Sequence, residues 1–218
     1  LTHQLLNAKE VNNFNKIFRN HEELWEDGRK TAGSFASKNK NNLQFNRNSE
    51  VSKKFSQIIK DKITSDPLIK SFALPKYIHG NMFTKSSRGM KYGRHLDNAF
   101  MSTGRADLSF TVFLNNKKDY GGGELIIENI NAEHKFKLNQ GEILIYPSSY
   151  LHEVSEITRG ERLVFIGWIE SYVKSTEVRE YLFDMDAGSR SLLAKYGRSE
   201  DLDLIFKSYT NFLRLLGE

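Results

Sequence analysis

Gly89-Met90-Lys91-Tyr92-Gly93-Arg94-His95-Leu96-Asp97-Asn98 is the stretch around which the chain is read. His95 and Asp97 stand two apart, so on an extended backbone both side chains leave the same face and can grip one ion. A third donor comes much later, at His152 within Tyr146-Pro147-Ser148-Ser149-Tyr150-Leu151-His152-Glu153-Val154. Two imidazoles and one carboxylate form the set that holds non-haem Fe(II) while leaving positions open for oxygen and a co-substrate. Ten residues past His152, Arg162 begins a strongly apolar run. A guanidinium at the mouth of a buried strand needs a carboxylate partner, because an uncompensated charge is costly to desolvate.

Outward from this stretch, residues 76–82, 90–95, 108–114, 124–128, 134–138, 142–146, 152–156 and 162–169 read as short extended runs bounded by turns, which predicts an antiparallel sandwich or barrel. Gly121-Gly122-Gly123, Asn139-Gln140-Gly141 and Arg159-Gly160 supply residues that tolerate positive φ between strands. In the last run Arg162, Val164, Ile166 and Trp168 share one face, with Leu163, Phe165, Gly167 and Ile169 on the other. Helices flank this β region. Asn7 and Glu10 read as a capping box ahead of Val11, Phe14, Ile17 and Phe18 at helical spacing. Val51, Phe55, Ile58, Ile59 and Ile63 mark a second helix, stopped by Asp66-Pro67. Val178, Tyr181 and Leu182 mark another, and Ile205, Tyr209, Phe212, Leu213 and Leu216 line one face of the last. That last face either covers the sheet or meets a second subunit in a homodimer. Ser37-Lys38-Asn39-Lys40-Asn41-Asn42 reads either as a solvated loop or as a loop at the site mouth that contacts substrate.

The 218 residues suffice for one large domain, 1–218: helical to about 75, β core to about 170, helical extension beyond. With no Cys, disulfides, thiolate zinc sites and thiol nucleophiles are excluded, so a metal must be held by nitrogen and oxygen. No apolar run approaches a membrane span, and the first residues lack a basic region followed by an apolar one, so a soluble, cytoplasmic protein is expected. The net charge of +5 is scattered along the chain, which disfavours nucleic acid as a partner.

The chain resembles the iron(II)/2-oxoglutarate dioxygenases, in particular the PKHD-type, prolyl hydroxylase-like group. The resemblance is carried by Trp25-Glu26-Asp27-Gly28-Arg29, Lys40-Asn41-Asn42, Tyr92-Gly93-Arg94-His95-Leu96-Asp97-Asn98, Arg105-Ala106-Asp107-Leu108-Ser109, Tyr120-Gly121-Gly122-Gly123-Glu124-Leu125, Tyr146-Pro147-Ser148-Ser149 and Thr158-Arg159-Gly160-Glu161-Arg162. It implies a fold that is mostly β with flanking helices, a double-stranded β-helix or jelly roll. It further implies His95, Asp97 and His152 as Fe(II) ligands and Arg162 as the residue that forks onto the distal carboxylate of 2-oxoglutarate. Tyr92 matches a tyrosine that contacts the co-substrate, and packing in the core accounts for it equally well. The reaction implied is hydroxylation of an unactivated C–H bond, with O₂ consumed, succinate and CO₂ released, and L-ascorbate as reductant. The substrate class implied is a peptidyl prolyl or lysyl residue of a peptide or protein, with a small molecule behind it. Asp97 is present, whereas related halogenases lack this carboxylate.

Three other readings compete. Nucleic-acid demethylases of the AlkB type carry a second Arg six positions after the co-substrate Arg, where this chain has Trp168. A metal-binding jelly roll without turnover would have no need of Arg162. A zinc hydrolase would call for an HExxH helix, and the chain has none.

Overall fold

The computed structural model describes residues 1–31, 40–129 and 132–218. Ser37, Lys38 and Asn39 of the expected mouth loop lie outside the described residues, while Lys40, Asn41 and Asn42 lie within them. The chain runs β1 (Thr2–Gln4), α1 (Ala8–Arg19), β2 (Trp25–Asp27), β3 (Leu43–Phe45), α2 (Glu50–Ser65), α3 (Pro67–Ala73), β4 (Pro75–Ser87), β5 (Tyr92–His95), β6 (Phe100–Met101), β7 (Gly104–Arg105) and β8 (Leu108–Phe113). It continues through β9 (Gly121–Gly122), β10 (Leu125–Glu128), β11 (Glu133–Phe136), β12 (Glu142–Pro147), β13 (Leu151–Val154), β14 (Ile157–Arg159), β15 (Glu161–Ser171), α4 (Thr176–Tyr196) and α5 (Glu200–Leu216).

Two antiparallel sheets carry the fold. The larger has the order β1-β12-β8-β15-β4-β3-β2, the smaller β11-β10-β13-β5. The longer strands of the second half alternate between the sheets, as in a jelly roll: β8, β12 and β15 lie in the larger and β10 and β13 in the smaller, while β9 pairs with β14 and β6 with β7 in two small ribbons. Period-two alternation separates two cores. Phe165 and Ile169 face the helices together with Phe14, Phe55, Ile59, Phe83 and Phe110, while Val164 packs between the sheets with Phe113, Leu125, Leu144 and Tyr146. The alternation read along residues 162–169 is therefore the division between the helix-backed core and the sandwich interior.

Local chemistry explains the helix ends. The Asn7 side chain accepts from the Glu10 amide at 3.0 Å, and the Glu10 carboxylate accepts from the Asn7 amide at 2.9 Å, which closes the expected capping box. Asp66-Pro67 ends α2 but does not stop helical structure. The Asp66 carboxylate caps the Ile69 amide at 2.9 Å and Pro67, with φ already suited to a first turn, opens α3. Three short strands, β1, β2 and β3, lie among the first helices, and each is only three residues long, too short for alternation to show in sequence. α4 packs on α3 through the edge-on contact of Phe72 with Phe183, at 5.5 Å between ring centroids, and α5 packs on α4. Leu204, Phe212 and Leu215 on α5 stay exposed. Among the described residues no helix is long and apolar enough to cross a membrane.

Phe165 is fully buried, with ring centroids of Phe83 and Phe110 at 4.6 and 5.8 Å. Phe165→Ala is expected to cost about 3–5 kcal/mol through lost burial and the cavity left behind, read as a lowered midpoint in urea unfolding at unchanged slope.

Candidate active site

Antiparallel pairing of β5 with β13 sets His95 directly opposite His152, with the two ring centroids 4.3 Å apart. Asp97 follows just beyond the end of β5, and its Oδ2 lies 3.7 Å from His152 Nε2. One donor atom from each of the three residues falls within 4.8 Å of the others, and among the described residues no other group of His, Asp and Glu gathers in this way.

Hydrogen bonds outside the trio orient it. Nδ1 of His95 lies 2.8 Å from the Gly93 carbonyl and Nδ1 of His152 lies 3.0 Å from the Tyr150 carbonyl. A carbonyl oxygen only accepts, so each Nδ1 carries a hydrogen, which leaves Nε2 as the nitrogen of each ring available to a metal. Ser109 Oγ donates to Asp97 Oδ2 at 2.6 Å and is itself 2.8 Å from Ser148 Oγ. The donor set therefore fits a divalent transition ion such as Fe(II): two neutral imidazoles, one carboxylate, each steered from outside. Ser109 and Ser148 escaped the sequence reading. Their signal was weak, one of two hydroxyl residues in a buried strand and another two residues after Tyr146.

Arg162 lies deeper between the sheets, 4% exposed, its guanidinium carbon 5.4 Å from the centre of the Phe113 ring. Among the described residues it forms no ion pair within 4 Å, and its Nε is buried without a hydrogen-bond partner, as is the Tyr120 hydroxyl. Burial pulls the Arg162 pKa below its ordinary value, with Tyr120 and Tyr146 acting against that. A buried guanidinium with unused donors suits a carboxylate brought by a small molecule. The backbone makes room for it at Gly123, where φ is +68° and an added Cβ would lie 3.1 Å from Arg162 Cδ and 2.5 Å from Ile157 Cδ1.

Tyr92 stacks on His95, with centroids 3.8 Å apart and planes at 21°, and burial first, then Asp97, push its hydroxyl up to about 12. Tyr146 meets His152 edge-on at 5.3 Å. The Trp168 ring covers Gly80, and its Nε1 is buried without a partner. The remaining histidines with close polar partners are engaged elsewhere, His3 with Asp66, His21 with Glu23 and His79 with Thr103.

Residues 81–170 match the 2OG-Fe(II) oxygenase superfamily. A PKHD-type hydroxylase of Prochlorococcus marinus strain AS9601 is 67% identical over all of this chain and 98% of its own length. The chain belongs to the PKHD-type hydroxylase family. A PKHD-type hydroxylase of Prochlorococcus marinus strain NATL2A is 53% identical over 100% of this chain and 99% of that one. Among solved structures, a Pseudomonas putida prolyl-4-hydroxylase is similar with TM-score 0.57 and 21% identity, covering 78% of this chain and 91% of that one. A Trichoplax adhaerens prolyl hydroxylase, solved with a hypoxia inducible factor peptide fragment, is similar with TM-score 0.56 and 16% identity over 84% of this chain and 86% of that one. At those identities the structures speak for the jelly-roll fold. As a PKHD-type hydroxylase the protein is a 2-oxoglutarate-dependent dioxygenase, of a family whose reagents are Fe(II), 2-oxoglutarate and O₂.

Burial first, then the neighbouring His152, lowers the His95 pKa from 6.5 to about 4 in this PKHD-type hydroxylase. Between those values the unfolded chain binds a proton that the folded chain refuses, so stability rises with pH across the window and is lost as pH falls through it. The metal-free protein should melt at progressively lower temperature as pH is taken from 7 to 4, and His95→Gln should flatten that slope. Parallel melting curves for the two proteins would show that His95 does not carry the effect.

Proposed function

We propose that this dioxygenase hydroxylates an unactivated C–H bond of a peptidyl prolyl or lysyl residue, releasing succinate and CO₂, with L-ascorbate as the reductant that keeps the metal ferrous. His95, Asp97 and His152 hold the Fe(II), Arg162 with the Tyr120 hydroxyl takes the distal carboxylate of 2-oxoglutarate, and Tyr92 borders the co-substrate against His95. The observation that carries this reading is the pairing of two unmet needs inside one sandwich: three oriented metal donors near its mouth and a buried guanidinium without a carboxylate below them.

Bound Fe(II) supplies the activation of O₂, coupled to oxidative decarboxylation of 2-oxoglutarate. The chain's own part is placement and exclusion. Both imidazoles present Nε2 because their Nδ1 hydrogens are committed to Gly93 and Tyr150. Asp97 keeps its orientation through Ser109, which is held in turn by Ser148. Phe113, Leu144, Tyr146 and Val164 wall the interior with apolar or aromatic surface and keep water from the reacting centre. The prolyl preference draws on the similar prolyl hydroxylase structures, one of them with a peptide bound. Trp168 at the position of the second arginine of AlkB-type demethylases argues against a nucleic-acid substrate, and Arg162 argues against a metal protein without turnover. Pairing of two copies through the C-terminal helices belongs to the same reading and is supported by the exposed apolar side chains of α5.

Peptides and host proteins incubated with the enzyme, Fe(II), 2-oxoglutarate and ascorbate should gain one oxygen by mass spectrometry, with succinate in step. His95→Ala, Asp97→Ala or His152→Ala should abolish both products while melting stays close to wild type. Full activity in any one variant removes that residue from the site.

Titration of 2-oxoglutarate into metal-loaded, oxygen-free protein tests Arg162 separately. Arg162→Lys keeps the charge but loses the planar fork, so affinity should fall while metal binding holds. Arg162→Ala should weaken it further, by ~2–5 kcal/mol for truncation of a desolvated charged pair, or roughly 30-fold to several thousand-fold. Equal affinities across the three proteins would sink the assignment.

A further inference from the structure

Lys40 is a cation that the proposed chemistry leaves unused. It is only 7% exposed, its backbone bridges Tyr92 in antiparallel fashion, and its Nζ sits 5.4 Å from the centre of the Tyr92 ring, the ring that stacks on His95. The neighbouring Asn41 amide donates to the Lys91 carbonyl at 3.0 Å, which ties this short segment to the strand that bears His95. Lys40 is close enough for Asp97 to favour its charged form and for the Lys40 charge to disfavour protonation of His95.

What Lys40 lacks is an anion of its own. Among the described residues it forms no ion pair and no side-chain hydrogen bond, and residues 32–39 and 130–131 contain no Asp or Glu that could supply one. The carboxylate nearest in influence, Asp97, is the one assigned to the metal. The face of Tyr92 offsets part of the desolvation of the ammonium and none of its hydrogen-bonding need. Burial first, then repulsion from Arg47, lowers the Lys40 pKa to about 8, so it remains a cation at neutral pH. Arg47 adds a second positive charge from the exposed rim, where one guanidinium nitrogen donates to the Gly80 carbonyl at 3.1 Å and no carboxylate lies within ion-pair distance among the described residues. Next to Gly80 comes Met101, whose Sδ would lie 3.8 Å from a Cβ at that glycine, and Phe100 beside it is 79% exposed, as Leu96 is in good part. The mouth thus joins one buried cation, one rim cation and exposed apolar side chains, and the negative charge that acts on Lys40 is that of the proposed metal ligand Asp97.

We propose that Lys40, with Arg47 at the rim, receives a carboxylate of the substrate, so that the C–H bond offered to the metal site belongs to an acidic peptide. This rests on the reading above for the place of the reacting centre. Lys40 and Arg47 are then specificity-determining residues: the carboxylate supplies the counter-charge that the ammonium lacks, and the apolar rim takes the body of the substrate. Arg162 does not compete for the same group, since it lies deeper between the sheets and neither Lys40 nor Arg47 is among the charges that act on it.

The test is a binding measurement on full-length protein loaded with Mn(II) and saturating 2-oxoglutarate without oxygen, followed by calorimetry. Three matched probe pairs are titrated: acetyl-Pro-Glu-amide against acetyl-Pro-Gln-amide, acetylproline against its amide, and benzoate against benzamide. The first pair reports a side-chain carboxylate, the second a terminal one, and the third an anion irrespective of peptide character. At least one of the two proline carboxylates should bind about tenfold to a hundredfold more tightly than its amide, as expected for a charge-assisted hydrogen bond at a desolvated site, and a preference confined to the benzoate pair overturns the proposal. Lys40→Met should remove that preference, Lys40→Arg should retain it, and Arg47→Met should reduce it. No preference in any pair, or a preference that survives Lys40→Met, overturns the proposal. A fall in 2-oxoglutarate affinity in Lys40→Met would assign the cation to the co-substrate instead, and tighter binding of a single-stranded oligodeoxythymidylate than of every carboxylate probe would assign it to nucleic acid. Either outcome overturns it too. Succinate release by the Fe(II)-loaded wild type, measured alongside, tells failure of the dioxygenase reading apart from failure of this one.

Discussion

Hydrogen bonding between β5 and β13 sets the distance between His95 and His152, and much else in the molecule follows from that pairing. Residues directly opposite in an antiparallel ladder have side chains within about 5 Å, close enough for two imidazoles to share an ion. A slip of one residue would turn one ring to the other face of the sheet. β10 lies against β13 on its other side, with Ile127 opposite His152, so His152 sits on an inner strand of its sheet. The larger sheet contributes the hydroxyl of Ser109 that holds Asp97, backed by Ser148 in the turn after β12, which makes the proposed metal site a product of both sheets.

The interior between those sheets is also an electrostatic device. Charges desolvated there interact strongly with whatever opposite charge is brought in, and they are costly while alone. Arg162 and Lys40 are both in that condition, one deep and one near the mouth, and neither has a carboxylate partner among the described residues. Cations that brace the fold have their donors used: Arg105 is held by Asp107 at 2.7 Å, and the buried Arg179 donates to the Val173 and Lys174 carbonyls and to Thr176. The contrast separates cations that brace the fold from cations placed for something that arrives from outside.

Stability is supplied away from this site. Phe14, Phe18, Phe45, Phe55, Phe83, Phe110 and Phe165 cluster between the larger sheet and α1–α2, where ring contacts of 4.4–5.8 Å recur. The helix-backed core can therefore hold the larger sheet in shape while the opposite side of the sandwich carries unpaired charge and the candidate metal donors. Such a division lets the site retain groups that would not be selected for stability.

By itself the sequence determined the Asn7–Glu10 cap, the longer strands, the alternation along residues 162–169, and His95, Asp97 and His152 as candidate ligands, because each is written in local spacing or in a motif with its own chemistry. Asn7 with Glu10 needs only a three-residue offset to be read as a cap, and period two is visible wherever a strand is long enough. What lay beyond it were contacts between segments distant in the chain. The three-residue strands β1, β2 and β3 belong to a sheet whose other members come later, and nothing within three residues marks a strand. Ser109 and Ser148 acquire meaning only when β8 and β12 meet beside Asp97, and the Tyr120 hydroxyl only when its turn folds over Arg162. Lys40 read equally well as a solvated loop residue or a substrate contact. Tertiary structure decided that it is buried, since burial and the lack of a partner are properties of the surrounding sheets and not of any stretch of chain.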